Sequence, residues 1–329
     1  MKNLNIPHNW KTVALALSFV FLSAYPLLGP SSYMKHLFIL FFIWAVVAVN
    51  WNLLIGYTGI SSLAGIGFLA IGAYTSGILS KTFLISPWIT IFIAGFFTAF
   101  LVTIFLGFPA LRLSGIYITL LTLIFADTLP SILSETRGIT GGAMGLHGVP
   151  EFFENATKTQ NYYVCLGFFL IVMYIIYRVV NSSTGLAFIA LRDHENFAHS
   201  LGVDKFRERI KVFALASFIT GMAGGVYMHV LGDISPATLS IEPFLLTVAM
   251  VELGGVGTLF GPVIGAFVII FGNEYLRLAG TFRLALLGAL ICIAVLFYPG
   301  GLMQFIDNLE QTLPKWWSAL RARFAASKA

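Results

Sequence analysis

The chain has 329 residues, 58% of them hydrophobic and only 10% charged, with 31 Phe and 32 Gly. A soluble domain carries about 25% charged residues, so a water-soluble globule is excluded. A polytopic membrane protein is indicated, with Gly letting helices approach closely. The net charge of +5 follows from membrane orientation and calls for no nucleic-acid partner.

A spanning helix needs about 20 predominantly apolar residues. Apolar windows fall near Thr12–Leu28, His36–Ile55, Ile60–Leu79, Trp88–Phe108, Gly115–Ile132, Tyr162–Val179, Val212–Leu231, Ile241–Leu253, Pro262–Gly272 and Arg283–Tyr298. They predict an all-α fold of about ten transmembrane helices. The range is eight to ten, because the windows after Ile241 are short and broken by Gly. The first window follows Lys2 and Lys11 and ends in no small-residue cleavage pattern, so it reads as a retained span. With the N-terminus in the cytoplasm and ten alternating spans, 13 Lys/Arg fall on the cytoplasmic side and 6 outside. That is the direction the positive-inside rule requires, and it puts both termini in the cytoplasm. The chain reads as one transmembrane domain over residues 1–329, with an outer loop near 135–160 and a cytoplasmic surface helix near 183–204.

Three stretches stand out along the chain. The first, Asn50–Gly77, reads NWNLLIGYTGISSLAGIGFLAIGAYTSG and is too rich in Gly, Ser and Thr to suit lipid. Asn52, Gly56, Tyr57 and Gly59 open it. Ser61, Gly65, Gly72 and Ser76 fall near one helical face, which allows close helix contact. The second, Ala190–Lys211, holds five of the 19 basic and four of the 14 acidic residues. Ser183 and Thr184 are N-cap candidates for a helix whose Leu186, Ile189, Ala190, Phe197 and Leu201 share one apolar face. Gly202 supplies a left-handed C-terminal cap, and Asp204 can cap the helix that follows. The helix is either an ordinary interfacial element or a docking surface for a soluble partner. Its mixed charges favour docking, since an anionic leaflet would select basic residues.

The third stretch, Val251–Ala266, reads VELGGVGTLFGPVIGA. Gly254, Gly255, Gly257 and Gly261-Pro262 break an apolar run. Irregular backbone at membrane depth is tolerated only inside protein or beside a water-filled cavity, and Gly/Pro-broken segments point to a transport path. Tight helix packing is the competing explanation for both glycine-rich stretches.

Asp127 and Glu252 are the carboxylates placed deepest in the apolar windows. Intramembrane carboxylates are costly and functional by default; an interfacial, solvated position is the alternative. No G-x-x-x-x-G-K-[ST] is present, so ATP binding through a P-loop is not expected of this chain. The six His, and Cys165 and Cys292, form no metal-ligand spacing. No cofactor, metal or catalytic residue is expected.

In order along the chain, NLLIGYTGISSLAGIGFLAIGAYT, LRLSGIYITLLTLIFAD, TGGAMGL, GLAFIALRDHENFAHSLGV and GGVGTLFGPVIGA resemble the LivM-type membrane subunit of bacterial ABC importers for branched-chain amino acids. The resemblance covers roughly residues 45–270. It implies about ten transmembrane helices in a bacterial inner membrane. It also implies four protein partners, namely a sister permease, two ATP-binding subunits and a periplasmic substrate-binding protein, with an amino acid as cargo. It further implies that the surface segment is a coupling helix received by an ATPase, through Gly185, Arg192, Asp193, Glu195, Phe197, Ala198 and Gly202. Phe197-Ala198 departs from the family's pair of small residues there. The path is expected beside Asn52, Gly56, Tyr57, Gly59, Ser61, Gly65, Gly72, Glu252, Gly254, Gly255 and Gly257. Two other readings stay open. One is a stand-alone ion-coupled carrier using Asp127 or Glu252. The other is the same architecture importing urea, amides or other amino acids.

Overall fold

Within the described residues each apolar window carries a helix, because a backbone in lipid must satisfy its own hydrogen bonds. The computed structural model describes residues 19–305 except 110–112, 114, 155, 240 and 299. The first half of the first window and the charges at Lys2, Lys11, Arg112, Lys315, Arg321, Arg323 and Lys328 lie outside the described residues. Helix α1 is described over Phe19–Leu28. Then come α2 (Ser32–Asn52) with a π turn at Leu53–Tyr57, α3 (Gly65–Phe83), and α4 (Pro87–Val102) with a π turn at Thr103–Gly107. Next are α5 (Ile116–Glu135), α6 (Lys158–Val180), α7 (Ser183–Asp193), α8 (Glu195–Ser200) and α9 (Lys205–Leu231). The chain continues through α10 (Ile241–Gly254), α11 (Gly261–Tyr275) and α12 (Arg283–Phe297).

Six helical segments are long and apolar enough to cross a membrane: Ser32–Tyr57, Pro87–Gly107, Ile116–Glu135, Lys158–Val180, Lys205–Leu231 and Pro236–Gly254. Shorter apolar helices stand beside them, and α3 has 19 residues diluted by Gly, Ser and Thr. The fold is all-α, polytopic and membrane-embedded. Its only sheet among the described residues is a two-stranded antiparallel ribbon of β1 (Leu146–His147) and β2 (Asp233–Ile234).

Helix α2 runs through the centre, with fourteen of its residues buried. An aromatic block locks it to α6: Phe42 meets Tyr162 edge-to-face at 5.3 Å and lies tilted against Phe169 at 5.6 Å. Such ring pairs add to the gain from burial. On the other side α9 lies along α3 and α4, and glycine permits this. A Cβ on Gly72 would land on the Gly221 carbonyl, and one on Gly224 would land on the Leu69 carbonyl. A Cβ on Gly221 would lie 2.7 Å from Thr98 Cβ. Backbones touch here, as small residues allow in membrane interiors. At one end of this bundle His229 is fully buried, with Nδ1 2.7 Å from the Pro150 carbonyl and Nε2 2.8 Å from Ser76 Oγ. At the other end lie α7, α8, the α2 π turn and the α10–α11 connection.

The structure corrects the sequence expectations in three places. The third window begins helical only at Gly65, because Gly59 takes φ 69° and residues 59–64 are irregular. The surface helix is two helices, broken at His194 (φ −151°, ψ 88°), and it is capped by Ser182, whose hydroxyl accepts from Gly185 N, rather than by Ser183 or Thr184. Its apolar positions do not share one buried face: Phe188 and Ala198 are buried while Leu186, Phe197 and Leu201 stand exposed.

Candidate functional site

Two of the glycine-rich stretches and the charged surface segment meet at one place. Helix α2 widens into its π turn over Leu53–Tyr57. The Gly59 and Ile60 amides fold back to the Ile55 and Leu54 carbonyls. π turns inside α-helices are frequent at functional sites. The Gly56 carbonyl accepts from Arg192 Nη1 at 2.5 Å, across 136 residues of sequence. Asn52, one turn earlier and buried, faces the α10–α11 connection. Its Oδ1 accepts from Gly257 N at 2.8 Å and its Nδ2 donates to the Thr258 carbonyl at 2.8 Å. One carboxamide thus satisfies both a donor and an acceptor of irregular backbone, which buried peptide groups require.

Glycine is demanded here by backbone approach and by conformation. Gly257 has φ 75° and Gly255 φ 118°. A Cβ on Gly59 would lie 2.9 Å from Arg192 Cγ, and one on Gly257 would lie 3.3 Å from Arg192 Nη1. A Cβ on Gly56 would strike Asn52 Oδ1 and Gly257 N. Thr258 closes the turn, donating from Oγ1 to the Gly255 carbonyl at 2.7 Å and accepting from Gly261 N at 3.2 Å. Gly254 fits against Gly261 and Gly265 against Met250, so α10 and α11 pack as a close hairpin. Tyr57 is buried beside this cluster.

The charges of the surface segment are arranged in pairs. Arg192 Nε and Nη2 both reach Asp193 Oδ1 at 2.9 Å. Glu195 pairs with Lys205 and, at 3.3 Å, with Arg209, whose Nη1 also donates to the Leu113 carbonyl. Asp204 caps α9 by accepting from the Phe206 and Arg207 amides. Gly202 has φ 86° with no neighbour near its Cβ position, the left-handed end its place predicts. Gly185 sits tight against the Val179 and Val180 carbonyls where α7 folds back on α6. A cavity of about 510 Å³ opens between these elements, lined by Gly59, Ser61, Ile116, Arg192, Glu208 and Arg209 among others.

The other residues expected beside the path stand apart from the Asn52–Gly56–Arg192–Gly257 joint, Ser61 alone lining the same cavity. Gly65, at the start of α3, has room: a Cβ would lie 3.8 Å from Trp51 Cδ1. Gly72 is sealed in the α3–α9 contact, so packing within the chain explains it. Ser61 precedes α3 and is exposed at the cavity, so it does not share a helical face with Gly72 and Ser76. Glu252 is half-buried in α10 and Asp127 is exposed on α5. Thr258, Gly221, Gly224 and His229 were not singled out from the sequence. The run Gly221-Met-Ala-Gly224-Gly225 in an apolar helix was the available signal for the glycines.

The family model for the branched-chain amino acid transport system permease component matches residues 33–295. The chain belongs to this family. It is 27% identical over 288 residues to the high-affinity branched-chain amino acid transport system permease protein LivM of Salmonella typhimurium, an alignment covering 79% of this chain and 68% of that one. The LivM of Escherichia coli is 28% identical over the same shares. A probable branched-chain amino acid transport permease LivM of Methanocaldococcus jannaschii is 25% identical over 48% of this chain and 47% of that one. No solved structure matches. The matched region of the permease contains the whole joint formed by Asn52, Gly56, Arg192 and Gly257.

Proposed function

We propose that this permease is the membrane subunit of an ATP-driven importer for branched-chain, hydrophobic amino acids. It shares the substrate path with a sister permease and works with two ATP-binding subunits and a periplasmic binding protein. It sits in a bacterial inner membrane with both termini and α7–α8 in the cytoplasm. ATP hydrolysis belongs to the partners.

One observation carries the reading: the α7–α8 surface presents Leu186, Phe197 and Leu201 outward, 65–69% exposed, while Phe188 and Ala198 pin it to the body at 1% exposure. Exposed apolar groups on an anchored element fit a docking site for a soluble protein, here an ATPase. The exposed face of α5 supports the sister permease, since Asp127 there has no place in lipid.

The test is to purify the chain from its native membrane with its neighbours, then to reconstitute the complex with a panel of amino acids, urea and amides. Co-purifying ATPases and uptake of leucine, isoleucine or valine support the reading. A chain that purifies alone and transports alone contradicts it.

A further inference from the structure

We infer that Arg192 is a positioning residue that passes movement of the surface helix to the backbone of the path. The inference rests on the reading of the chain as an ATP-driven permease. The links are direct. Arg192 stands in the last turn of α7 and donates to the Gly56 carbonyl in the π turn of α2. One turn back along α2, Asn52 grips Gly257 N and the Thr258 carbonyl in the α10–α11 connection. The surface helix, the central helix and the glycine-broken hairpin are therefore joined in series by three hydrogen bonds.

The shape of α7 makes it a lever. Its N-terminal end is fixed where Gly185 meets the Val179 and Val180 carbonyls of α6. Arg192 lies at the opposite end, one turn beyond the buried Phe188, so a tilt of α7 about its held N-terminal half displaces Arg192 most. The guanidinium fork holds Asp193 with two nitrogens and Gly56 with the third, so its direction is set before a partner binds. A Lys ammonium is a point charge on a flexible stem and cannot hold both groups in that fixed fork. Glycine at 59 and 257 leaves the room through which the Arg192 side chain passes.

The experiment uses the full permease reconstituted with its partner subunits in proteoliposomes. It compares wild type, Arg192→Gln, Arg192→Lys and Asn52→Ala. The readouts are co-purification of the ATPases and amino acid imported per ATP hydrolysed. Arg192→Gln is expected to co-purify at the wild-type ratio but to import roughly tenfold less per ATP, the size of one charge-assisted hydrogen bond. Arg192→Lys should recover part of that loss. Asn52→Ala, which breaks the second link and leaves Arg192 intact, should show the same uncoupling. Wild-type import per ATP in Arg192→Gln overturns the inference. So does a loss confined to ATPase co-purification, which would make Arg192 a docking residue. Absence of ATP-driven import in the wild-type complex instead defeats the permease reading itself, and the inference falls with it.

Discussion

Gly72, Gly221 and Gly224 lie where helices touch; Gly56, Gly59 and Gly257 lie where three distant segments are held by side chains. Both groups come from stretches that read alike, as Gly in apolar sequence. In the first, glycine removes a side chain so that α3 and α9 meet backbone to backbone. The helices continue unbroken. In the second, glycine removes a side chain so that Arg192 and Asn52 reach peptide groups, and the backbone leaves helical geometry at Gly255 and Gly257. Glycine content alone therefore does not mark a path. What separates the groups is whether the freed space holds another backbone or a polar side chain.

That contrast predicts a graded series. Gly72→Ala should be the most damaging, because its Cβ meets the rigid Gly221 carbonyl and neither helix can yield alone. Overpacking of this kind costs about 1–3 kcal/mol, and the variant should lose folded protein and thermal stability in detergent. Gly257→Ala should cost about 1–2 kcal/mol from its left-handed backbone, confined to one connection. Its folded yield should stay near wild type while uptake falls severely. If yield collapses as in Gly72→Ala, the two groups are not distinct.

Gly202→Val acts further out, at a helix end with open space around it. A β-branched residue at φ 86° is strained by about 1 kcal/mol or more. The helix end can fray, so insertion should be normal while ATPase docking and uptake weaken, measured by pull-down and transport. Normal uptake would remove Gly202 from the docking element. Gly65→Ala should be the mildest, within about 0.5 kcal/mol of wild type, since its Cβ has ordinary contact with Trp51. A large loss of uptake there would support the expected place of Gly65 beside the path.

The helices were legible because lipid imposes a length and an apolar composition that can be counted. Windows such as Tyr162–Val179 and Arg283–Tyr298 fall within a few residues of α6 and α12. The left-handed end at Gly202 and the cap at Asp204 were legible because local backbone geometry dictates residue type. The joint was not. Arg192 and Gly56 stand 136 residues apart, and no periodicity pairs a surface Arg with one carbonyl among many. Asn52 was expected beside the path, but only the position of the α10–α11 connection gives its carboxamide two partners. The break at His194 was hidden for a related reason. The three-four spacing of Leu186, Ile189, Phe197 and Leu201 fits one continuous helix equally well, and only tertiary contacts of Phe188 and Ala198 show which side is held.

The most direct test of the account is the energy source of uptake. The complex is reconstituted in vesicles supplied with ATP on the ATPase side, and the proton gradient is collapsed. Uptake of branched-chain amino acids should continue, stop when ATP is withdrawn, and keep the same ATP requirement in Asp127→Asn. Uptake that stops when the gradient collapses with ATP present, together with an inactive Asp127→Asn, would contradict the account and make the chain an ion-coupled carrier.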